Sequence, residues 1–260
     1  MEYQNLVYEV KEEIAWITLN RPKAMNALNV VMLQELRNVF ETLENDSNIK
    51  VAIIKGGGGK AFSAGADLKE VEALSIRSAF NYSQTAHHVF NGIEQLGKPV
   101  IACINGMAMG GGAELALSCH IRIASNGSQL GFPESGLGGI PGMGGSQRLP
   151  RLIGKSLGLS YLLTGDMITA EEGLRLGLYY KILPDEEIEA GVEKLAKKLA
   201  KKSPLSVKFI IQAVIHGLEE SLEGGLVLES AFMSAMSSSE DKKEGIKAIF
   251  EKRTPNFKGE

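Results

Sequence analysis

The sequence predicts an α/β fold built on a mostly parallel sheet. Short runs such as VAIIK (51–55), VIACI (100–104) and IRIA (121–124) are apolar on both faces, as strands covered on both sides must be. Segments with helical periodicity separate them, giving a strand, helix, strand, helix order. The 260 residues, 44% hydrophobic, are enough for one large core or for one core with a small appendage.

Taken in order, NLVYEV and IAWITLN flank the charged KEE and read as a hairpin. RPKAMNAL leads into a helix over residues 30–45, where Leu33, Leu36, Phe40 and Leu43 recur on one side. The VAIIK strand ends in Gly56–Gly59, because consecutive glycines carry too much backbone entropy to hold a regular element. A long helix over about 75–96 is expected to turn Ala79, Val89, Ile93 and Leu96 inward, and Pro99 introduces VIACI. A glycine-rich turn, a helix carrying Glu114 and the strand IRIA follow. Residues 127–145 show no periodicity and many glycines, and a long irregular piece of this kind is more often functional than idle.

From about residue 185 the pattern is helical only. Leu195 and Leu199, Val207 and Ile210, and Leu228 and Phe232 fall at helical spacing. Pro204 in SPLSV marks a helix start. The chain therefore divides into a core region, 1–200, and a helical C-terminal region, 201–260. Some sixty helical residues hold little core of their own, so they pack on the sheet domain or on other copies of the chain, and a homo-oligomer is expected.

A net charge of −3 gives no polybasic surface for nucleic acid or anionic lipid. The first residues have neither a charged n-region nor an apolar h-region, and no stretch approaches a membrane span, so a cytoplasmic protein is expected. Cys103 and Cys119 lie in apolar segments and fit buried free thiols. His87, His88, His120 and His216 form no metal-ligand spacing with them, and no metal is expected. GKSLG (154–158) matches the letters of a nucleophile elbow, but QRLPRLI before it reads as helix where the elbow needs a strand. A phosphate loop would need glycine at 149, which is leucine, so this segment is read as a helix-to-helix junction. Asn81 and Asn126 open glycosylation-like triplets that carry no weight without a secretion signal.

Two glycine turns carry chemistry. In KAFSAGADLKE, Gly65 sits between Ala64 and Ala66, and Asp67 opens a helix; MAMGGGAELAL repeats the arrangement. Small residues let a ligand approach the backbone, and amides at a helix start are unpaired. Two such turns could converge on one developing negative oxygen, although each alone also fits ordinary tight packing of helix on sheet. Glu114 stands three residues after Gly111, where the helix field favours its charged form and apolar neighbours its neutral one. Glu134 lies in the irregular LGFPESGLG, facing either a cavity or solvent. Two glutamates sharing one water could add it across a polarised double bond, one removing its proton and the other protonating carbon.

These residues make the chain resemble the enoyl-CoA hydratase/isomerase, or crotonase, family. The likeness runs almost end to end, through LNRPKAMNAL, FSAGADLKE, NGMAMGGGAELALSCHIRIA, LGFPESGLGGIPGMGGSQRLPRLIG and LTGDMITAEEGLRLGLYYKI. The resemblance implies a crotonase-like spiral of strand-strand-helix units with a helical C-terminal trimerisation region, as a trimer or a hexamer of two trimers. It places the oxyanion-hole amides at Ala66 and Gly111 and the catalytic glutamates at Glu114 and Glu134. Coenzyme A contacts are implied at Ala64, Ala66, Asp67, Leu68 and Lys69, with Lys69 near phosphate. Lys23 and Ala24 are implied on the opposite wall, and Phe250 and Lys252 at positions that reach the CoA of a neighbouring subunit.

The family hosts several reactions, so the scaffold alone does not name one. Retention of both glutamates points to enoyl-CoA hydration, reversible and on short chains, with a cyclic dienoyl-CoA hydratase or a double-bond isomerase as alternatives. Glu134 is the candidate for the proton at C2 and Glu114 for activating water at C3, with both holding the water at rest. No metal, flavin or nicotinamide is implied, since the thioester is its own electron sink and coenzyme A belongs to the substrate. Phe132 and Ser135 stand where many hydratases have other residue types, and Met107 and Met109 lie near the acyl end, which leaves the acyl group open. A catalytically idle or RNA-binding relative is disfavoured by the intact glutamates and by the lack of aromatic-basic interleaving.

Overall fold

The computed structural model describes residues 3–260. Leu6–Lys11 (β1) and Ile14–Leu19 (β2) pair antiparallel as the expected hairpin. Asn29 caps the helix Val30–Asn45 (α1) by accepting from the Met32 amide, and Val51–Gly56 (β3) follows. Next come Ala61–Ser63 (β4), the short helix Leu68–Glu72 (α2), Ile76–Gln95 (α3) and Val100–Ile104 (β5). Met107–Met109 (β6), Gly111–Ser118 (α4), Ile121–Ser125 (β7) and Gln129–Gly131 (β8) carry the chain to a 3-10 turn over Pro133–Leu137. Gly145–Ile153 (α5) and Lys155–Thr164 (α6) meet at Gly154, so GKSLG is the helix junction expected of it. Ile168–Thr169 (β9), Ala170–Arg175 (α7) and Lys181–Leu183 (β10) complete the sheets. The helices Ile188–Ala200 (α8), Pro204–Gly217 (α9), Leu222–Ser237 (α10) and Glu240–Glu251 (α11) end the chain.

The main sheet runs β1-β2-β3-β5-β7-β10 and is parallel apart from the β1 edge. Alternation along its strands sorts the core into two layers. Ile14, Trp16, Val51, Ile53, Ile101, Cys103 and Ile123 face Ile188, Val192, Ala196 and Ala200 of α8. The intervening Ala15, Ile17, Ala52, Ile54, Ala102, Ile104 and Ala124 pack in the larger core with α1, α3 and α4. Burying one large aliphatic side chain stabilises the fold by about 1.5–3 kcal/mol, so each layer is a major contributor. Both cysteines are free and buried, and burial pushes each thiol up to about 12.

A second, four-stranded sheet, β4-β6-β8-β9, was not expected. Its strands are two or three residues long, too short to show a period-2 pattern. It also changes the reading of 127–145, which holds β8 and the 3-10 turn rather than a continuous loop. Ala79 corrects a further expectation. It lies in the first turn of α3 and is exposed, because the buried stripe starts only at Ala86 and continues through Val89, Phe90 and Ile93.

Ser203 caps α9, and Pro204 is its first residue, as the sequence predicts. Helices α9 and α10 lie side by side with Phe209 and Phe232 stacked, their ring centroids 4.8 Å apart. Neither helix buries a side chain fully within this chain. The buried Asp241 of α11 accepts from Ser203 Oγ at 2.6 Å and from the Lys258 and Gly259 amides, tying the C-terminal tail to the start of α9. Among the described residues no helix is long and apolar enough to cross a membrane.

Candidate active site

The second sheet brings the two glycine turns together. β4 and β6 are parallel neighbours, so the segments leaving them, Ala64–Ala66 and Gly110–Gly111, emerge side by side. Gly65 has φ +99°, and a β-carbon there would lie 2.8 Å from the Met109 carbonyl oxygen and 3.3 Å from the Gly111 nitrogen. Gly110, at φ 46° and ψ −122°, turns the chain from β6 into α4 in a conformation that side chains disfavour. Leu28 donates to the Gly65 carbonyl and accepts from the Asp67 amide, bracketing Ala66. Among the described residues the Ala66 and Gly111 amides donate to no acceptor. A β-carbon on Gly111 would stand 3.3 Å from the Ala66 nitrogen, so the two free N–H groups are close neighbours. Gly111 is also the first residue of α4, where the helix adds partial positive charge.

Glu114 is 1% exposed in the first turn of α4. Its Oε1 accepts from the Met143 amide at 2.8 Å and the Gly145 amide at 2.7 Å. Burial raises its pKa to about 7 against the downward pull of those two amides; the Glu134 charge pushes it up and Arg148 pulls it down. Glu134 enters from the 3-10 turn, half-buried, with its Oε1 against Gly110. Its Oε2 is buried and has no partner among the described residues, and burial holds this carboxyl above its ordinary value too. The arrangement thus combines two free amides with two carboxyls, one anchored and one open. It can stabilise a developing oxyanion and move protons beside it.

The walls are tied to one another. Asp67 pairs with Arg21 at 2.8 Å and accepts from the Lys69 amide, which holds its carboxyl below the usual range, so this carboxylate is used within the protein. Ala64 donates its amide to Met25, and Ala24 is half-buried beside exposed Lys23, which places these two segments together. Leu68 and Lys69 are exposed at the start of α2. Phe250 is 82% exposed on α11, and Lys252 caps that helix at φ 51°. No hydrogen bond or ion pair links either residue to the loops around Glu114 among the described residues. Phe132 is fully buried and belongs to the core, against the place a Gly145 β-carbon would take. Ser135 donates to the Leu163 carbonyl, and Met143 packs against Gly111.

Sequence reasoning missed three supports. Asn26, buried, donates from Nδ2 to the Gly57 and Ala61 carbonyls, both at 2.9 Å, and fixes the 22–27 loop against the end of β3. Tyr82 on α3 donates to the Leu28 carbonyl. The Met143–Gly145 amides were invisible because backbone donors leave no residue-type signal beyond the glycines of GMGGSQR.

Residues 9–260 match the model of the enoyl-CoA hydratase/isomerase family. The chain is 40% identical over 257 residues to a crotonyl-CoA hydratase of Syntrophomonas wolfei, covering 99% of each. It is 40% identical over 253 residues to a short-chain-enoyl-CoA hydratase of Clostridium acetobutylicum, covering 97% of each. The crystal structure of an enoyl-CoA hydratase from Bacillus anthracis superimposes with a TM-score of 0.96 at 38% identity, covering 99% of this chain and 100% of that one. With the two glycine turns side by side next to Glu114 and Glu134, the expected parallel sheet in place and a match along nearly the whole length, the chain belongs to the enoyl-CoA hydratase/isomerase family.

Proposed function

We propose that this protein adds water reversibly across the 2,3 double bond of a short-chain trans-2-enoyl-CoA, giving the 3-hydroxyacyl-CoA. The observation that carries this reading is the pair of carboxyls, Glu114 buried and anchored and Glu134 half-buried with an open oxygen, beside the free amides of Ala66 and Gly111. The names of the relatives in Syntrophomonas and Clostridium support the same reaction and a short acyl chain.

In the proposed step the thioester oxygen sits between the Ala66 and Gly111 amides, whose hold strengthens as negative charge develops. Ionised Glu114 takes one proton from water as its oxygen bonds to C3, and the double-bond electrons move toward the thioester to form an enolate. Protonated Glu134 gives its proton to C2, and the carbonyl re-forms. A proton passing from Glu114 to Glu134 restores the starting state. The thioester accepts the electrons, so the reaction needs no resident cofactor, and CoA arrives as part of the substrate.

Lys23, Ala24, Ala64, Ala66, Asp67, Leu68 and Lys69 form the proposed CoA walls. The Arg21–Asp67 pair, 2.8 Å long, supports the walls by joining them. The proposed division is a core of residues 1–200 and an oligomerisation region of 201–260. Exposed apolar residues on that region, among them Leu218, Leu222, Val227, Met233 and Phe250, support a trimer or hexamer in which Phe250 and Lys252 reach a neighbour's substrate. The test is loss of enoyl thioester absorbance when crotonyl-CoA meets the purified protein, with identification of the product. Formation of 3-hydroxybutyryl-CoA supports the reading; a shifted double bond without water would replace it with isomerisation, and no conversion would overturn it.

A further inference from the structure

The polar side of α3 grips the loop that holds Glu114. Ser83, His87, Asn91 and Glu94 fall at helical spacing, on a different side of α3 from the buried Ala86, Val89, Phe90 and Ile93. Ser83 Oγ donates to the Gly142 carbonyl at 2.5 Å, and His87 Nε2 stands 3.5 Å from the same hydroxyl. Arg148 of α5 completes the grip. Its Nη2 donates to Asn91 Oδ1 at 2.6 Å and to Glu94 Oε2 at 2.9 Å, its Nε donates to the same Glu94 oxygen at 3.2 Å, and its Nη1 donates to the Met143 carbonyl at 3.4 Å. The guanidinium lies so close over Gly144 that a β-carbon there would stand 2.2 Å from Nη1.

This places one side chain on the first residue of a short span and over its middle one. Met143 and Gly145 donate the two amides that hold Glu114 Oε1. Arg148 clasps the carbonyl of the first of these residues and is anchored on α3 by a charge-assisted pair that is only partly open to solvent, 11% for Arg148 and 32% for Glu94. A lysine carries the same charge but not the planar fork, which meets Asn91, Glu94 and Met143 together.

We propose that Arg148 is a positioning residue for Glu114: locked to Glu94 and Asn91 on α3, it fixes the 143–145 backbone whose amides aim the Glu114 carboxylate. It touches no reacting atom in this role. Its kinetic consequence rests on the hydration reading above, whereas its hold on the loop does not.

Both parts are measurable. The charged and titratable groups around the pair are Glu134 from the 3-10 turn, Tyr82 and Glu94 from α3, and Cys119 at the end of α4. His120 lies beyond them on the Glu94 carbonyl, and His87 on Ser83. None of these is altered in Arg148→Gln, Arg148→Lys or Asn91→Ala. The experiment compares the three variants with the unaltered protein by amide hydrogen exchange over residues 142–148 without substrate. It then measures kcat and KM for crotonyl-CoA across pH.

Arg148→Gln is expected to speed exchange at Met143 and Gly145 and to lower kcat about 10- to 100-fold, the scale of a small misplacement of a reacting group, with KM little changed. Loss of the cation and loosening of the amides both favour protonated Glu114, so the acid limb of kcat moves to higher pH. Arg148→Lys restores that limb toward its original place while kcat stays reduced. Asn91→Ala, at an exposed position, keeps the fold and gives a smaller change of the same sign in exchange and kcat. Unchanged exchange in Asn91→Ala and Arg148→Lys overturns the proposal, as does a rise in KM with kcat intact. An unaltered protein that hydrates no enoyl-CoA removes the reaction reading, while faster exchange in the variants still upholds the hold of Arg148 on the loop.

Discussion

Glu114 and Glu134 are held under unequal constraint: Glu114 Oε1 accepts from two backbone amides, whereas the buried Oε2 of Glu134 accepts from none. The Glu134 charge also raises the Glu114 pKa. One carboxyl is therefore aimed by the backbone, and the other keeps an oxygen for a ligand.

The pH dependence of turnover follows from Glu114. Its pKa of about 7 means that the carboxyl holds a proton below that pH and releases it above. Water activation needs the ionised form, so kcat for crotonyl-CoA should rise as pH passes through about 7. A pH–rate profile with no acid limb near neutrality would remove Glu114 from that step.

The same shift has a cost in stability. The unfolded chain releases this proton in the ordinary carboxylate range, and the folded protein releases it only near 7. Stability contributed by the protonated group is therefore lost as pH climbs between those values. Glu114→Gln should abolish hydration yet stabilise the protein by about 1–3 kcal/mol above pH 7, with no gain at acidic pH. Thermal melting at both pH values checks it, at about 2–4 °C per kcal/mol.

Glu134→Gln keeps the shape of the side chain and removes the proton for C2. Turnover should fall about 10²–10⁴-fold, the usual contribution of a placed general acid, with acyl-CoA binding retained. Near-normal turnover would show that the proton comes from elsewhere.

Much of this site was legible because it depends on residue types with few alternatives. Gly65 and Gly110 mark turns that other residues resist, and Glu114 is conspicuous as an acid in an apolar helix. The main sheet was legible for a similar reason, since five- and six-residue strands buried on both faces leave continuous apolar runs. The second sheet was not, because three residues of β6 or β8 carry no period. Nor were the anchors of Glu114, which are main-chain amides brought in from 29 and 31 residues away. Ala79 failed as a core position because helical spacing identifies a stripe without saying where along the helix the neighbouring layer begins.

Gly65→Ala tests the paired amides directly. At φ +99° an alanine is strained, and its β-carbon would press on the Met109 carbonyl at 2.8 Å. The substitution should cost about 1–3 kcal/mol of stability and lower kcat more than it raises KM, because the oxyanion contact matters most in the transition state. Steady-state kinetics with a melting curve would show it; full activity would argue against a role for the Ala66 amide.

The two thiols have a practical consequence. Cys103 lies under α8 and Cys119 in the main core, each free, buried and held up to about 12, so at neutral pH neither offers an accessible thiolate. Toward alkylating reagents the native fold thus behaves as a cysteine-free scaffold. A cysteine introduced at an exposed position outside the proposed oligomerisation region, such as Lys198 on α8, becomes a unique attachment point for a fluorophore or cross-linker, with no need to replace the native pair.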